Sequence, residues 1–253
     1  MILEIKDIRF KYNSLDILSN VSMEIKEGEV TGIMGPNGSG KTTILKCINR
    51  ILEPYKGSIL VKSRDLKELS NNDIAKNMGY VPQMDGGRFP RTVFDTILMG
   101  RKPYIQWAPT SKDLYTVSKI VDCLNLQDIA MRDVNQLSGG QKQKVIIGRA
   151  LAQEPEILLL DEPTTNLDLK HELEVMDIIW DQSRVGVTAI LSIHDLNIAV
   201  RYCDNIIMLK NGRIFAVGGK EVLTPENIKS VYGVNAKVIK DSEMNIIVPL
   251  SPN

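Results

Sequence analysis

A chain of 253 residues has room for one large α/β domain or two small ones, and its 31 Lys and Arg against 31 Asp and Glu leave no net charge, which argues against a dedicated nucleic-acid binder with its basic face. The hydrophobic share of 43% and charged share of 25% are ordinary for a packed globular chain. Cys47, Cys123 and Cys203 lie too far apart for a metal or CxxC site and are read as buried or half-buried thiols of a reducing compartment.

The start, Met1 to Asp7, carries acids and alternates polar with apolar, so it reads as a strand and not as an export signal. No apolar run nears the roughly 18 residues of a membrane span, so work at a membrane is expected to go through a partner. Leu3, Ile5 and Ile8, then Val21, Met23 and Ile25, predict half-buried antiparallel strands. Glu27-Gly28-Glu29 predicts a turn, and residues 30–34 an apolar strand that runs into a glycine-rich loop at Gly35. Ile44, Leu45, Ile48, Ile51 and Leu52 then predict an amphipathic helix, ended by Pro54 and Gly57. Strands are predicted at 57–61 and 78–81, with a polar stretch at 65–76 between them.

Residues 84–135 change character. Loop signals at Asp85-Gly86-Gly87 and Pro90 precede helical spacing at Val93, Ile97 and Leu98, a loop with Pro103 and Pro109, and a helix through Leu114, Val117, Ile120, Val121 and Leu124. They read as a helical insertion in an α/β chain. A helix at 137–152, a buried strand at 157–160, a helix at 169–180 with Leu169, Leu173, Met176 and Trp180 on one face, and a strand at 187–193 follow. Asn211-Gly212 predicts a two-residue hairpin, and the chain from about residue 221 a short helix and a terminal hairpin.

Gly35-Pro36-Asn37-Gly38-Ser39-Gly40-Lys41-Thr42 matches G-x-x-x-x-G-K-[ST] in full, between an apolar strand and a helix. Its glycines let backbone N–H groups turn inward around a polyphosphate, and the helix start adds donors and a positive dipole end. Lys41 is expected to reach the β- and γ-phosphates, Thr42 to offer Mg²⁺ its hydroxyl, and Thr43 to complete the cradle. Asp161 and Glu162 end the buried strand, where open α/β sheets bind ligands. Asp161 suits Mg²⁺, direct or through water, and Glu162 suits the general base that polarises the attacking water. Leu137-Ser138-Gly139-Gly140-Gln141 opens a helix and is either a second anion-holding start or a simple helix cap.

LSGGQ beside a complete phosphate loop resembles the ABC ATPase family, over Leu3 to about Gly219. The resemblance implies a P-loop NTPase core of mixed sheet with helices, an N-terminal antiparallel β subdomain and a helical subdomain at 84–135. These lie within a single ABC ATPase domain, 1–253, whose residues 221–253 form a small C-terminal extension. It further implies a head-to-tail homodimer with two ATP molecules between the copies. Lys41 of one copy and Ser138 and Gly140 of the other, beside Gly139 and Gln141, would hold one γ-phosphate. Tyr12 stands where the family stacks an aromatic on adenine, the alternative being a strand residue facing the core. Gln83 matches the glutamine that senses Mg²⁺ and water and couples to the permease, and His194 the histidine that contacts the γ-phosphate. Asp168 matches the loop that crosses the dimer interface and equally suits a helix N-cap. His171, on a helix face read as exposed, is expected to be solvated and inert.

Departures are small. Lys142 and Lys144 replace common arginines, keeping charge without the bidentate fork, and Gly148 replaces a frequent alanine at a cost to its helix.

Residues 92–101 with Pro103, Leu167 to Val175 and His194 to Asn197 resemble importers for iron–siderophores, haem and cobalamin, and importers of a metal oxyanion, molybdate or tungstate, with similar architecture are the alternative. The implied partners are two transmembrane permease subunits and an extracytoplasmic substrate-binding protein, with the chain peripheral at the cytoplasmic membrane face and no nucleic acid. The competing readings are a soluble ABC ATPase acting on ribosomes or DNA, and an exporter subunit.

Overall fold

The structure, a computed structural model, describes residues 1–83, 91–240 and 245–252. The chain forms two compact units, Met1–Leu69 with Thr188–Asn253, and Ser70–Val187.

The first unit opens with β1 (Leu3–Tyr12) and β2 (Leu15–Ile25), paired antiparallel from Leu3 opposite Ile25 to Tyr12 opposite Leu15. Leu3 and Ile5, then Ile8 and Phe10, are buried, and an irregularity between the two pairs, with Asp7 at φ 48°, shifts the alternation by one residue. β3 (Val30–Met34) is buried at every position, and α1 (Lys41–Ile48) follows the glycine loop. β4 (Lys56–Val61) and β5 (Arg64–Asp65) complete a sheet of order β2-β1-β4-β5. The predicted helix through Leu52 stops early, at Ile48, and Ile51 is exposed. Arg50 turns into the left-handed region (φ 52°), and its Nη1 donates to the Leu66 and Leu69 carbonyls, which draws the chain off the helix axis.

The second unit begins with α2 (Asn71–Asn77), a helix within the stretch read only as polar. A reciprocal Ser70–Asp73 capping box starts it. β6 (Met78–Val81), α3 (Val93–Leu98) and α4 (Ser111–Cys123) follow, while the loop signals at 85–90 lie outside the described residues. α5 (Gly139–Leu151) packs with them around Val93, Ile97, Val117, Val121, Leu124 and Val145. A Cβ on Gly148 would sit 2.8 Å from Leu124 Cδ1, so the residue that weakens α5 by propensity is the one that lets these helices approach. β7 (Ile157–Asp161) runs parallel to β6. α6 (Leu169–Arg184) buries Val175, Met176, Ile179 and Ser183; of the predicted face Met176 is buried, Leu173 and Trp180 are half-buried and Leu169 is exposed. Leu169 is 71% exposed because it stands in the first turn, beyond the core.

The chain re-enters the first unit with β8 (Thr188–Ile193), α7 (Leu196–Tyr202), β9 (Asn205–Lys210) and β10 (Arg213–Gly218), in the order β10-β9-β3-β8. β3 is parallel to both neighbours, and only β10 is antiparallel. Asn211 and Gly212, at φ 49° and 70°, form the predicted hairpin turn. α8 (Pro225–Tyr232), β11 (Val234–Lys240) and β12 (Asn245–Pro252) close the chain. The fold is thus the mixed α/β class expected.

Cys47 and Cys203 are buried, and burial pushes both thiols up to about 12. Cys123, expected to be buried or half-buried, is exposed as the last residue of α4. Among the described residues, no helix is long and apolar enough to cross a membrane.

Candidate functional site

In the first unit the glycine loop leaves β3 and wraps back on itself. Gly35, Gly38 and Gly40 take φ values of 152°, 77° and 105°, angles that side chains other than glycine rarely adopt. Lys41, 5% exposed, folds its side chain under the loop, where Nζ donates to the Gly35 carbonyl at 2.8 Å and the Pro36 carbonyl at 3.2 Å. Its ammonium is thereby held at the loop's centre. The hairpin between β9 and β10 braces the far side, with Gly212 N–H donating to the Ser39 carbonyl at 3.1 Å. Ser39 Oγ is buried and has no hydrogen-bond partner among the described residues, a costly state for a hydroxyl unless a ligand supplies one. Thr42 and Thr43 lie in the first turn of α1, below the helix's unpaired N–H groups.

His194 belongs to the same unit. β3 and β8 pair in parallel with Met34 opposite Ile193, so the glycine loop and His194 leave neighbouring strands one residue beyond the same register position. His194 is exposed, and Asp195 fixes the turn after it by accepting from the N–H groups of Asn197 (2.7 Å) and Ile198 (3.0 Å). Tyr12, at the end of β1, is 46% exposed and meets Phe10 edge to face, so it does not face the core.

In the second unit, β6 and β7 run parallel with Val81 opposite Leu160, which brings Gln83 and the Asp161–Glu162 pair to one end of the two strands. Gln83 Nε2 donates to Glu162 Oε2 at 2.5 Å, and Thr165 Oγ1 donates to the same oxygen at 3.2 Å. Glu162 sits in the left-handed region at φ 50°, a sparsely populated conformation for a residue with a side chain. Asp161 is buried, at 2% exposure, and its charge adds to burial in pushing the Tyr80 phenol up to about 12. The carboxylate at the strand end is thus enclosed and the one after it is presented.

Ser138 caps α5 through a reciprocal box, accepting from Gln141 N–H at 3.3 Å while Gln141 Oε1 accepts from Ser138 N–H at 3.1 Å. Ser138 and Gly139 are exposed and Gly140 is buried. Asp168 caps α6, its Oδ1 accepting from His171 N–H at 2.9 Å. The N-cap alternative for Ser138 and for Asp168 is therefore realised in both.

His171 is not the solvated side chain expected. Its Nδ1 is 2.7 Å from Asp168 Oδ1, its side chain is 27% exposed, and its ring lies against Gly140. The hydrogen bonds from the His171 backbone and ring hold the Asp168 carboxyl below the usual carboxylate range. The sequence carried half of this signal, because the cap-to-third-residue spacing from Asp168 to His171 was visible. The other half, contact with α5, depends on helix packing. Lys144, noted only as a departure from arginine, bridges α5 to α6 through Glu174 at 2.7 Å.

A family profile described as ABC transporter matches residues 18–165. An ABC transporter ATP-binding protein of Methanocaldococcus jannaschii is 53% identical, over 99% of this chain and 98% of its own length. A petrobactin import ATP-binding protein of Bacillus anthracis is 35% identical, over 94% of this chain and 89% of its own. Among solved structures, a metal-chelate type ABC transporter in an inward-facing conformation superposes with a TM-score of 0.86 at 28% identity, covering 98% of this chain and 97% of that one.

Proposed function

This chain belongs to the ABC transporter family as one of its ATP-hydrolysing subunits, and from that premise we propose that it powers an importer for a metal chelate through a separate transmembrane permease. The petrobactin import relative and the metal-chelate type transporter support the cargo class. Both are transport proteins, which favours this reading over action on ribosomes or DNA. The chain works as a homodimer, peripheral at the cytoplasmic face of the membrane, with two permease subunits and an extracytoplasmic binding protein that delivers the chelate.

The observation that carries the catalytic reading is the Gln83–Glu162 hydrogen bond at the strand end, which with the Thr165 hydroxyl fixes the orientation of the carboxylate. Residues 35–43 bind the triphosphate, with the Ser39 hydroxyl and the Lys41 ammonium as side-chain donors. Tyr12, exposed at its strand end, stacks on adenine. The side chains present suit a hard cation, which takes oxygen ligands: Thr42 offers a hydroxyl, Asp161 an enclosed carboxylate and Gln83 an amide oxygen. Mg²⁺ held by such groups would supply charge neutralisation at the triphosphate. Glu162 orients and deprotonates the attacking water, and His194 contacts the γ-phosphate. Ser138, Gly139, Gly140 and Gln141, with Asp168, meet the nucleotide held by the second copy.

The direct test is steady-state ATPase activity of Glu162→Gln beside an ATP-binding measurement. Turnover is expected to fall by about 100-fold or more, as for loss of a general base, with ATP affinity within about twofold. A normal rate in this variant would remove Glu162 from its role.

A further inference from the structure

Two functional segments of Ser70–Val187 are joined by a side chain that has no part in the scheme above. Asp168 Oδ1 accepts from the His171 backbone N–H at 2.9 Å and from the His171 ring at 2.7 Å. An ionised carboxylate has no hydrogen to give, so Nδ1 is the donor, and the ring orientation is fixed by that bond. The opposite side of the ring lies on the first turn of α5. A Cβ built on Gly140 would fall 2.2 Å from His171 Cδ2, 2.3 Å from Cγ and 2.7 Å from Cβ. Because the obstruction includes Cβ and Cγ, no rotation of the ring would clear it. The Lys144–Glu174 ion pair at 2.7 Å ties the same two helices farther along.

We propose that His171 is a positioning residue that locks the Asp168 loop to the Ser138–Gln141 helix start, so that both face the second copy's nucleotide as one rigid edge. This rests on the reading above, in which those two segments meet ATP held by the partner. Neither Asp168 nor Gly140 has a side chain that reaches the other, and the imidazole supplies the spacer. Pre-ordering both segments spares the dimer the cost of fixing each at the moment of closure. The role predicts a defect in turnover and none in the nucleotide affinity of the single subunit, which depends on residues 35–43.

The test compares wild type, His171→Ala, His171→Asn, Gly140→Ala and the Gly140→Ala/His171→Ala pair. Each is measured for kcat, ATP affinity of the dilute subunit and melting temperature. His171→Ala is expected to lose about tenfold in kcat, with affinity within about twofold and melting within about 3 °C. His171→Asn, whose side-chain amide also donates to Asp168, recovers most of the loss. Gly140→Ala is nearly inactive alone, and adding His171→Ala, which removes the two ring atoms but keeps the Cβ at 2.7 Å, raises it in part, a non-additivity that identifies the ring as what the glycine makes room for. Turnover of His171→Ala within twofold of wild type, a loss that Asn does not recover, or a double variant no better than Gly140→Ala would each overturn the proposal. A wild-type chain without ATPase activity would instead overturn the reading beneath it, and the proposal with it.

Discussion

Lys41 shows how one side chain serves both the loop and the anion proposed to bind it. Its ammonium donates to the carbonyls of Gly35 and Pro36, holding the loop in shape with a charge at its centre. An anion arriving there meets a cation already desolvated and placed, where charge-assisted hydrogen bonds are strongest. Lys41→Ala is therefore expected to weaken ATP binding itself by about tenfold or more, the worth of one hydrogen bond to a charged group. Titration calorimetry giving an unchanged ATP affinity would contradict the phosphate-loop role. Most residues at this scale were legible from motif spacing, because a backbone cradle leaves a fixed pattern of glycines. His171 was not. Its partners are a cap residue three positions earlier and a glycine on another helix, and only the first leaves a trace in the sequence.

Among the elements, α4 carries a buried ion network that no motif announced. Arg101, 1% exposed, donates through Nε to Asp113 at 3.0 Å and through Nη1 to Glu154 at 2.6 Å and the Ala152 carbonyl at 2.8 Å. Asp113 is also the third residue of α4, boxed with its cap Thr110. Hydrogen bonds from Thr110, then from Arg101, hold the Asp113 carboxyl down to about 2 against an ordinary 3.8. A depressed folded-state pKa stabilises fully above the unfolded value, so this contribution is present above about pH 4 and lost as the pH falls toward 2. Asp113→Ala removes one partner of a buried pair and the helix cap together, and is expected to destabilise the chain by about 3 kcal/mol in urea titration. A change below about 1 kcal/mol would contradict the network's structural role. Sequence patterning predicted α4 from Leu114, Val117, Ile120, Val121 and Leu124, yet gave no sign of the network, because Arg101 and Asp113 each look like surface residues when read alone. The early end of α1 was hidden for a similar reason, since Arg50 leaves the helix for carbonyls contributed by Leu66 and Leu69.

For the whole molecule, register does what sequence motifs leave undone. Pairing of Met34 with Ile193 sets the glycine loop beside His194, and pairing of Val81 with Leu160 sets Gln83 beside Glu162. Each pair lies far apart in sequence, and each becomes a neighbour through parallel strands, whose C-terminal ends are where α/β sheets gather their chemistry. The sequence pattern was sufficient to identify the strands, because buried parallel strands read as short apolar runs such as 157–160. Their order in the sheet was not written in that pattern.

The measurement that tests the central claim is affinity capture of the Glu162→Gln variant from its own cells, with ATP and Mg²⁺ present to hold the dimer closed. The account predicts that a multi-span membrane permease co-purifies, together with a binding protein that takes up a metal chelate. Recovery of ribosomes or nucleic acid, with no multi-span membrane protein, would contradict it.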